Sequence, residues 1–405
     1  MTPPEMRALA RSIFDAGVAA ADPFDAVKTA LERKPIAPGT PIVAVGKAAV
    51  RMAEAALECS DAPGAVLVVT NPENARDLTG AEVFAAAHPV PDEIGLAAGL
   101  AVEKLLHSAE QDVLALISGG GSALLPAPAE GLTLADKAAV SEALLASGAE
   151  ITEMNLVRQC LSRLKGGGML RAAAPAKVRA LILSDVVGDD LRAIASGPTA
   201  APLGGPADAK ALCESYGIWD KLPAAVQDVL NRPATPHEAP EAENELVGSN
   251  THSVMAMAAA AKEAGLPLHI HSPSLVGDVE DAARRVAGTT DAGIHLFGGE
   301  TTVQLRGTGK GGRNQELALR VALHLERSRR NWVYLQGGTD GRDGPTDAAG
   351  GIVDAEALAE MRAKTDVEAG LLNNDAYAVL KAGGGLLMTG GTGTNVADLG
   401  VLIVE

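Results

Sequence analysis

Lys47 stands directly behind a short apolar run, Pro41–Gly46 (PIVAVG), and at the first turn of a helical stretch, KAAVRMAEAALE. A positive charge there opposes the helix dipole. A flexible ammonium beside free N–H groups becomes useful once a phosphate or carboxylate occupies the site. The alternative is an exposed lysine without a role. A second junction has the same design: Gly119, Gly120, Gly121 and Ser122 follow Asp112–Ser118 (DVLALIS). Strand, glycine turn and helix in that order aim backbone N–H groups at an anion. Glycine is required where a Cβ would block the ligand or where φ is positive. The competing reading is a turn that lets strand and helix pack closely. No G-x-G-x-x-G opens after this strand, so a nicotinamide fingerprint is missing there.

The segment GTGKGGRNQELALRVALHL places Lys310 and Arg313 in a further glycine turn before a helix. It is not a Walker A loop, because Gly311 follows Lys310 where Ser or Thr is needed. Arg313 suits a two-pronged grip on a carboxylate or phosphate, or it ties two loops together. Acidic residues adjoin glycines in two places, Asp185, Asp189 and Asp190 in LILSDVVGDDL, and Asp340, Asp343 and Asp347 in GGTDGRDGPTDAAG. Both groups follow apparent strands, where residues of α/β sites gather. Carboxylates there suit Mg²⁺ shared with substrate phosphates or a general base, against solvated loop acids as the plain alternative. The second loop does not fit the EF-hand template. His88, before Pro89, is a candidate for lining the first cleft. Ser118 and Ser122 lack a G-x-S-x-G context, which leaves serine-hydrolase chemistry little support.

The elements that must position these residues alternate. Apolar runs at Pro41–Gly46, Gly64–Thr70, Asp112–Ser118 and Val178–Ser184 are separated by helical stretches, which predicts a parallel sheet covered on both faces. Two helices are expected within 5–33, split at Asp22–Pro23. The region 133–171 reads as mainly helix, with Asn155 in a transition and a glycine triplet at 166–168. Strands are expected at Glu245–Ser249, Pro267–His271, Ala292–Phe297, Thr301–Leu305, Trp332–Gln336 and Val401–Val404, with a long helix after Arg313. The expectation is an α/β chain of two domains: a Rossmann-like parallel-sheet domain over 1–235 and a smaller mixed α/β domain over 236–405. The boundary is placed near residue 235 in a proline-rich stretch.

Composition agrees with this picture. Of the 405 residues 47% are apolar but only 2% aromatic, a core of small and aliphatic side chains suited to helices on a sheet. The 45 glycines show no three-residue period, which excludes collagen. With 34 Lys and Arg against 51 Asp and Glu, the net charge of −17 opposes bulk binding to nucleic acid or anionic membrane. Cys59, Cys160 and Cys213 read as reduced residues. No signal peptide is visible and no run of 18 apolar residues occurs. The expected compartment is the cytoplasm, and the expected partner is a small molecule.

Taken together, VAVGKAA, ISGGGSALL, LSRLKGGG, LILSDVVGDDLRAIASGPT, GGETTVQLRGTGKGGRNQE, GGTDGRDGPTDAAGG and TGGTGTNVADL resemble the class II glycerate kinase family, the one with a MOFRL C-terminal domain. Their order runs from about residue 40 to 399. The resemblance implies ATP- and Mg²⁺-dependent phosphorylation of D-glycerate at its 2-hydroxyl, in a cleft between a Rossmann-like domain and a smaller one. Lys47 and Arg313 match the family's proposed active-site cations. On that reading Lys47 stabilises the transferring group and Arg313 binds phosphate or the glycerate carboxylate. The turns Gly119–Ser122 and Gly166–Gly168, with Gly166 and Gly167 foremost, supply N–H donors, and Lys310 assists at the nucleotide. Asp189 orients the 2-hydroxyl or Mg²⁺, with Asp340 behind it; the metal ligands stay unassigned. Phosphoryl transfer asks chiefly for such positioning and charge compensation. The other readings are a NAD(P)H-dependent hydroxypyruvate reductase, disfavoured by the missing fingerprint, a non-catalytic sugar-acid-binding protein, and a kinase for another small hydroxy acid.

Overall fold

The computed structural model describes residues 1–233, 242–272, 275–289 and 291–405. They form two compact units, Pro23–Val247 and a second made of Met1–Asp22 with Gly248–Glu405.

In the first unit, four runs of Val, Ile, Leu and Ala become strands buried on both faces: β1 (Ile42–Val45), β2 (Val66–Thr70), β4 (Val113–Ile117) and β5 (Val178–Leu183). A half-buried edge strand, β3 (Glu82–Ala85), and β6 (Glu243–Gly248) complete the sheet. Its order is β3-β2-β1-β4-β5-β6, the order of a doubly wound dinucleotide fold. β1 pairs in parallel with β2 on one side and β4 on the other, Ile42 lying opposite both Val66 and Leu114. The direction of winding therefore reverses between β1 and β4. Helix Glu93–His107 starts where the Asp92 side chain accepts from the Gly95 N–H at 2.9 Å, satisfying one of the unbonded N–H groups of a first turn. Its buried Ala98, Val102 and Leu106 join Val43, Val45, Ala115, Ile117 and Ile182 in the sheet core. The helices Leu134–Ser147, Ile151–Cys160, Pro206–Ser215 and Ala224–Leu230 share a separate core around Leu144, Met154, Val157, Cys213 and Val226.

The second unit is mixed. Its sheet runs β12 (Leu386–Leu387), β11 (Gly350–Asp354), β10 (Trp332–Gly338), β13 (Asp398–Val404), β9 (Gly293–Thr302) and β7 (Leu268–Ile270), with β8 (Leu275–Asp278) also on β9. β10 is antiparallel to β11 and β13, and β13 to β9, whereas β7 and β8 run parallel to β9. Alternation sorts the side chains. Val333, Leu335, Val401 and Ile403 face a core with Met6, Phe14 and Met257, while Trp332, Tyr334, Leu402 and Val404 face one with Leu317, Val321 and Met361.

The domain division differs from the sequence expectation. The boundary placed near residue 235 falls outside the described residues, and the two units part after Asp22 and again before Gly248. Residues 1–22 leave the first unit because helix Pro3–Ala19 buries Met6, Ala10, Ile13 and Phe14 against the second unit's sheet and helix Asn250–Lys262. Two other corrections are local. Asn155 lies inside helix Ile151–Cys160, and the strands expected at 292–297 and 301–305 are one strand, β9, ending before the 80% exposed Leu305. The sequence reading passed over β3, β8, β11 and β12, which are short, glycine-bearing or partly exposed.

Candidate functional site

The carboxyl ends of β1 and β4 meet where the winding reverses, the place at which open α/β sheets bind ligands. Two bonds lock the loops that leave them: Lys47 N–H donates to the Gly119 carbonyl at 2.8 Å, and Ala48 N–H to Ser118 Oγ at 3.1 Å. A Cβ on Gly119 would lie 2.0 Å from an oxygen of Asp185, which follows β5. One on Gly120, at φ +83°, would lie 3.2 Å from Lys47 Cγ and 3.4 Å from His88 Cδ2. The two glycines are thus the space between an acid on one side and a lysine and histidine on the other. The Lys47 ammonium makes no ion pair or hydrogen bond among the described residues. Burial lowers the pKa of His88, and nearby Lys47 lowers it further. Burial raises the pKa of Asp185, against the pull of its own N–H and of Lys47. A neutral imidazole, a lysine without a salt bridge and an acid of raised pKa form a group able to receive an anion and exchange a proton.

Beyond the turn, Ser122 meets Ser196 through their hydroxyls, and Ser196 donates on to Asn155 Oδ1 at 3.1 Å. Ala195 and Ser196 hold φ values of +50° and +61°, left-handed conformations that cost each non-glycine residue about 1–3 kcal/mol. The segment is pinned by Gly166 N–H to the Ser196 carbonyl (3.1 Å), Gly167 N–H to the Gly197 carbonyl (2.8 Å) and Gln159 Nε2 to the Ser196 carbonyl (3.2 Å). Gly168 N–H is taken by the Lys165 carbonyl at 3.0 Å. The N–H groups of the Gly166–Gly168 turn, expected to face a ligand, are thus each bonded within the fold. Lys165, buried, donates from Nζ to the Ser122 carbonyl at 2.5 Å. Burial, with Lys137 and Arg158 nearby, drives its pKa well below the usual lysine range.

Asp189 sits at φ +56° with its Oδ1 buried and unpartnered. Buried polar atoms are nearly always bonded, so this acid stands out from Asp190, which closes on the Arg192 guanidinium at 2.8 and 2.9 Å. The sequence reading missed Lys165 and Ser196, whose roles arise from chain segments far apart.

In the second unit Arg313 opens helix Arg313–Leu325. Its Nε and Nη2 engage both oxygens of Asp398, at the start of β13, and its Nη1 lies 2.6 Å from Glu300 on β9. Burial lowers the guanidinium pKa, but Asp398 and Glu300 outweigh it and the net shift is upward. As a result the fork that the sequence offered to a ligand is largely occupied by the protein's own carboxylates. Asp343 accepts from the N–H groups of Asn314 and Gln315 at 3.1 and 2.8 Å, capping the same helix, while burial pushes its own pKa up to about 6. Asp340 accepts from the Arg342 N–H at 3.0 Å in the same loop.

The run Gly307–Gly312 carries the letters G-x-G-x-x-G, a match that the sequence reading passed over. Its geometry is not that of a dinucleotide loop. Arg306 and Gly307 N–H donate to Asn374 Oδ1 at 2.7 and 3.0 Å, Thr308 N–H to Asn373 Oδ1 at 3.1 Å, and Lys310 N–H to Asp375 Oδ1 at 3.0 Å. Donors that would face a pyrophosphate are held by three consecutive side chains, and Lys310 Nζ rests 5.2 Å from the Tyr377 ring centroid. The cofactor role expected of Lys310 has no support in these contacts. Nearby, a pocket of about 380 Å³ is lined by Glu280, Arg306, Glu316, Arg320 and Leu372. Arg320 there pairs with Glu280 and Glu316, each at 2.7 Å. Among the described residues no helix is long and apolar enough to cross a membrane, and the three cysteines are unpaired.

Residues 9–231 match a domain of unknown function, DUF4147, and residues 293–398 match the MOFRL family. A D-glycerate 2-kinase of Thermotoga maritima is 39% identical, over 98% of each chain. The crystal structure of a glycerate kinase from Thermotoga maritima superposes with a TM-score of 0.93 at 39% identity, covering 100% of both chains. A protein of Agrobacterium vitis, provisionally named a hydroxypyruvate reductase, is 42% identical over 98% of this chain and 94% of its own. The chain belongs to the glycerate kinase family built from the DUF4147 and MOFRL domains.

Proposed function

We propose that this protein transfers the γ-phosphoryl group of ATP to the 2-hydroxyl of D-glycerate, giving 2-phosphoglycerate. The observation that carries the proposal is likeness over both units to a D-glycerate 2-kinase, joined to a lysine without a salt bridge at the sheet's switch point. Lys47 is the cation for the transferring group, where a preorganised charge stabilises what develops in the transition state. Asp185 and His88, on either side of Gly119–Gly120, are the groups placed to orient or accept the hydroxyl proton. Arg313 contributes through the Asp398 and Glu300 network and orders the loop before its helix.

Mg²⁺ commonly needs only one or two protein carboxylates in addition to substrate phosphates and water. Asp189, with its unpartnered buried oxygen, is a donor of that kind. When bound, the ion neutralises phosphate charge. A cytoplasmic setting belongs to the same proposal.

The name of the Agrobacterium vitis protein makes reduction of hydroxypyruvate the reading to test against. The occupied N–H groups of Gly307–Lys310 weigh against it. Purified protein with ATP, Mg²⁺ and D-glycerate, with the product position fixed by NMR, tests both. Expected is the 2-phosphate. The 3-phosphate as sole product overturns the regiochemistry, and NADH- or NADPH-dependent loss of hydroxypyruvate without kinase turnover overturns the reaction.

A further inference from the structure

Hydrogen bonds among hydroxyls have a direction, and here it is set from the inner end. Asn155, 3% exposed, presents Oδ1, which only accepts, and the fully buried Ser196 donates its hydroxyl proton to it. That proton is then committed, so the contact between Ser196 and Ser122 has one remaining polarity: Ser122 donates and Ser196 accepts. Ser122 is only partly buried, and its backbone is fixed from behind by Lys165 Nζ on its carbonyl. Its hydroxyl therefore turns its proton inward and its lone pair outward. A phosphate oxygen, itself an acceptor, is poorly matched to such a group, whereas a ligand hydroxyl is well matched. An amide at the far end also makes the chain a dead end for protons, so Ser122 cannot serve as a general base for a hydroxyl that must lose its proton.

We infer that Ser122 is a specificity-determining residue that accepts a hydrogen bond from the non-reacting hydroxyl of the acid substrate, the 3-hydroxyl of D-glycerate, and that the left-handed segment Ala195–Gly197 exists to hold Ser196 in the orientation that enforces this polarity. The inference rests on the phosphorylation proposed above. It moves Ser122 from the nucleotide phosphates, where the glycine turn alone would put it, to the acceptor substrate.

The test compares D-glycerate with D-lactate, which keeps the 2-hydroxyl and lacks the 3-hydroxyl, in the full-length wild type and in Ser122→Ala and Ser196→Ala. Wild type must first phosphorylate D-glycerate, and failure there rejects the kinase reading. With turnover established, Ser122→Ala is expected to lower kcat/KM for D-glycerate by roughly ten- to a hundredfold. KM for ATP and kcat/KM for D-lactate should stay within threefold. Ser196→Ala, which keeps the Ser122 oxygen but frees its proton, is expected to fall between, with at least a threefold loss for D-glycerate. Equal losses for both acids, a rise confined to the KM for ATP, or no change in Ser122→Ala overturns the inference. An unchanged Ser196→Ala overturns the relay. Calorimetric binding of D-glycerate to each variant, read beside its melting temperature, separates a lost contact from a lost fold.

Discussion

The Nε and Nη2 atoms of Arg313 lie 2.7 and 3.0 Å from the two carboxylate oxygens of Asp398, a residue 1% exposed. This is a two-pronged bond between the first residue of a helix and the first residue of a central strand. Its geometry makes Arg313 a structural tie whatever else it does. Asp398→Asn should therefore destabilise the protein by roughly 2–3 kcal/mol, since it leaves a partly buried guanidinium short of its partner. Urea unfolding checks this. An unchanged midpoint with a raised KM would instead make the arginine principally a ligand group.

Lys47 is predicted to behave in the opposite way. Without an ion pair to lose, Lys47→Ala should leave the fold intact. Removal of one preorganised cation should reduce kcat on the order of a hundredfold. A kcat within threefold of wild type would return Lys47 to an ordinary surface lysine.

Gly119 tests the packing of the site. The side chain of Gly119→Ala would meet the Asp185 carboxylate at 2.0 Å, so either the turn or the acid must move. Stability and turnover should both fall. In Gly119→Ala with Asp185→Gly, part of the stability should return, a coupling of about 1–3 kcal/mol. Gly148→Ala is the control. Its φ is +77° with nothing within 4 Å, and a loss near 1 kcal/mol from conformation alone is expected. Strictly additive losses at Gly119 and Asp185 would show that the contact does not govern the turn.

Asp343 gives a pH dependence. Its folded pKa of about 6 lies above the ordinary value of 3.8, so between those limits the folded chain binds the additional proton. The stability linked to that proton is full below the lower value. It falls as pH rises through the window and levels off above 6. The difference in unfolding free energy between wild type and Asp343→Asn, measured at pH 4.5, 5.5 and 7, should shift against wild type as pH rises. A constant difference rejects the raised pKa.

The first unit was largely legible because its signals are local. Continuous runs such as Ile42–Val45 and Val113–Ile117 admit few readings other than buried parallel strands. Lys47 and Gly119 belong to the loops at the ends of such strands, and reading those loops placed them in one neighbourhood. What the sequence left hidden is long-range accounting of donors and acceptors. Nothing near Arg313 announces Asp398, and nothing in Gly307–Lys310 announces that Asn373, Asn374 and Asp375 take its N–H groups. Asn155 looked like a break in a helix because asparagine competes with helical backbone. Inside the helix its side chain serves Ser196 instead.

Helix Pro3–Ala19 belongs to a unit whose remaining residues begin at Gly248. On a ribosome adding 5–20 residues per second, the intervening chain takes on the order of ten to fifty seconds to emerge. Throughout that time Met6, Ile13 and Phe14 have no sheet to cover, although the unit from Pro23 to Val247 can already close around its own strands. The apolar face of helix Pro3–Ala19 is thus made long before it can be buried, which marks it as a stretch in need of chaperone cover and exposed to capture by a neighbouring chain. It also means that a fragment starting at Gly248 lacks one wall of its own core, while adding residues 1–22 to it in trans supplies the missing piece.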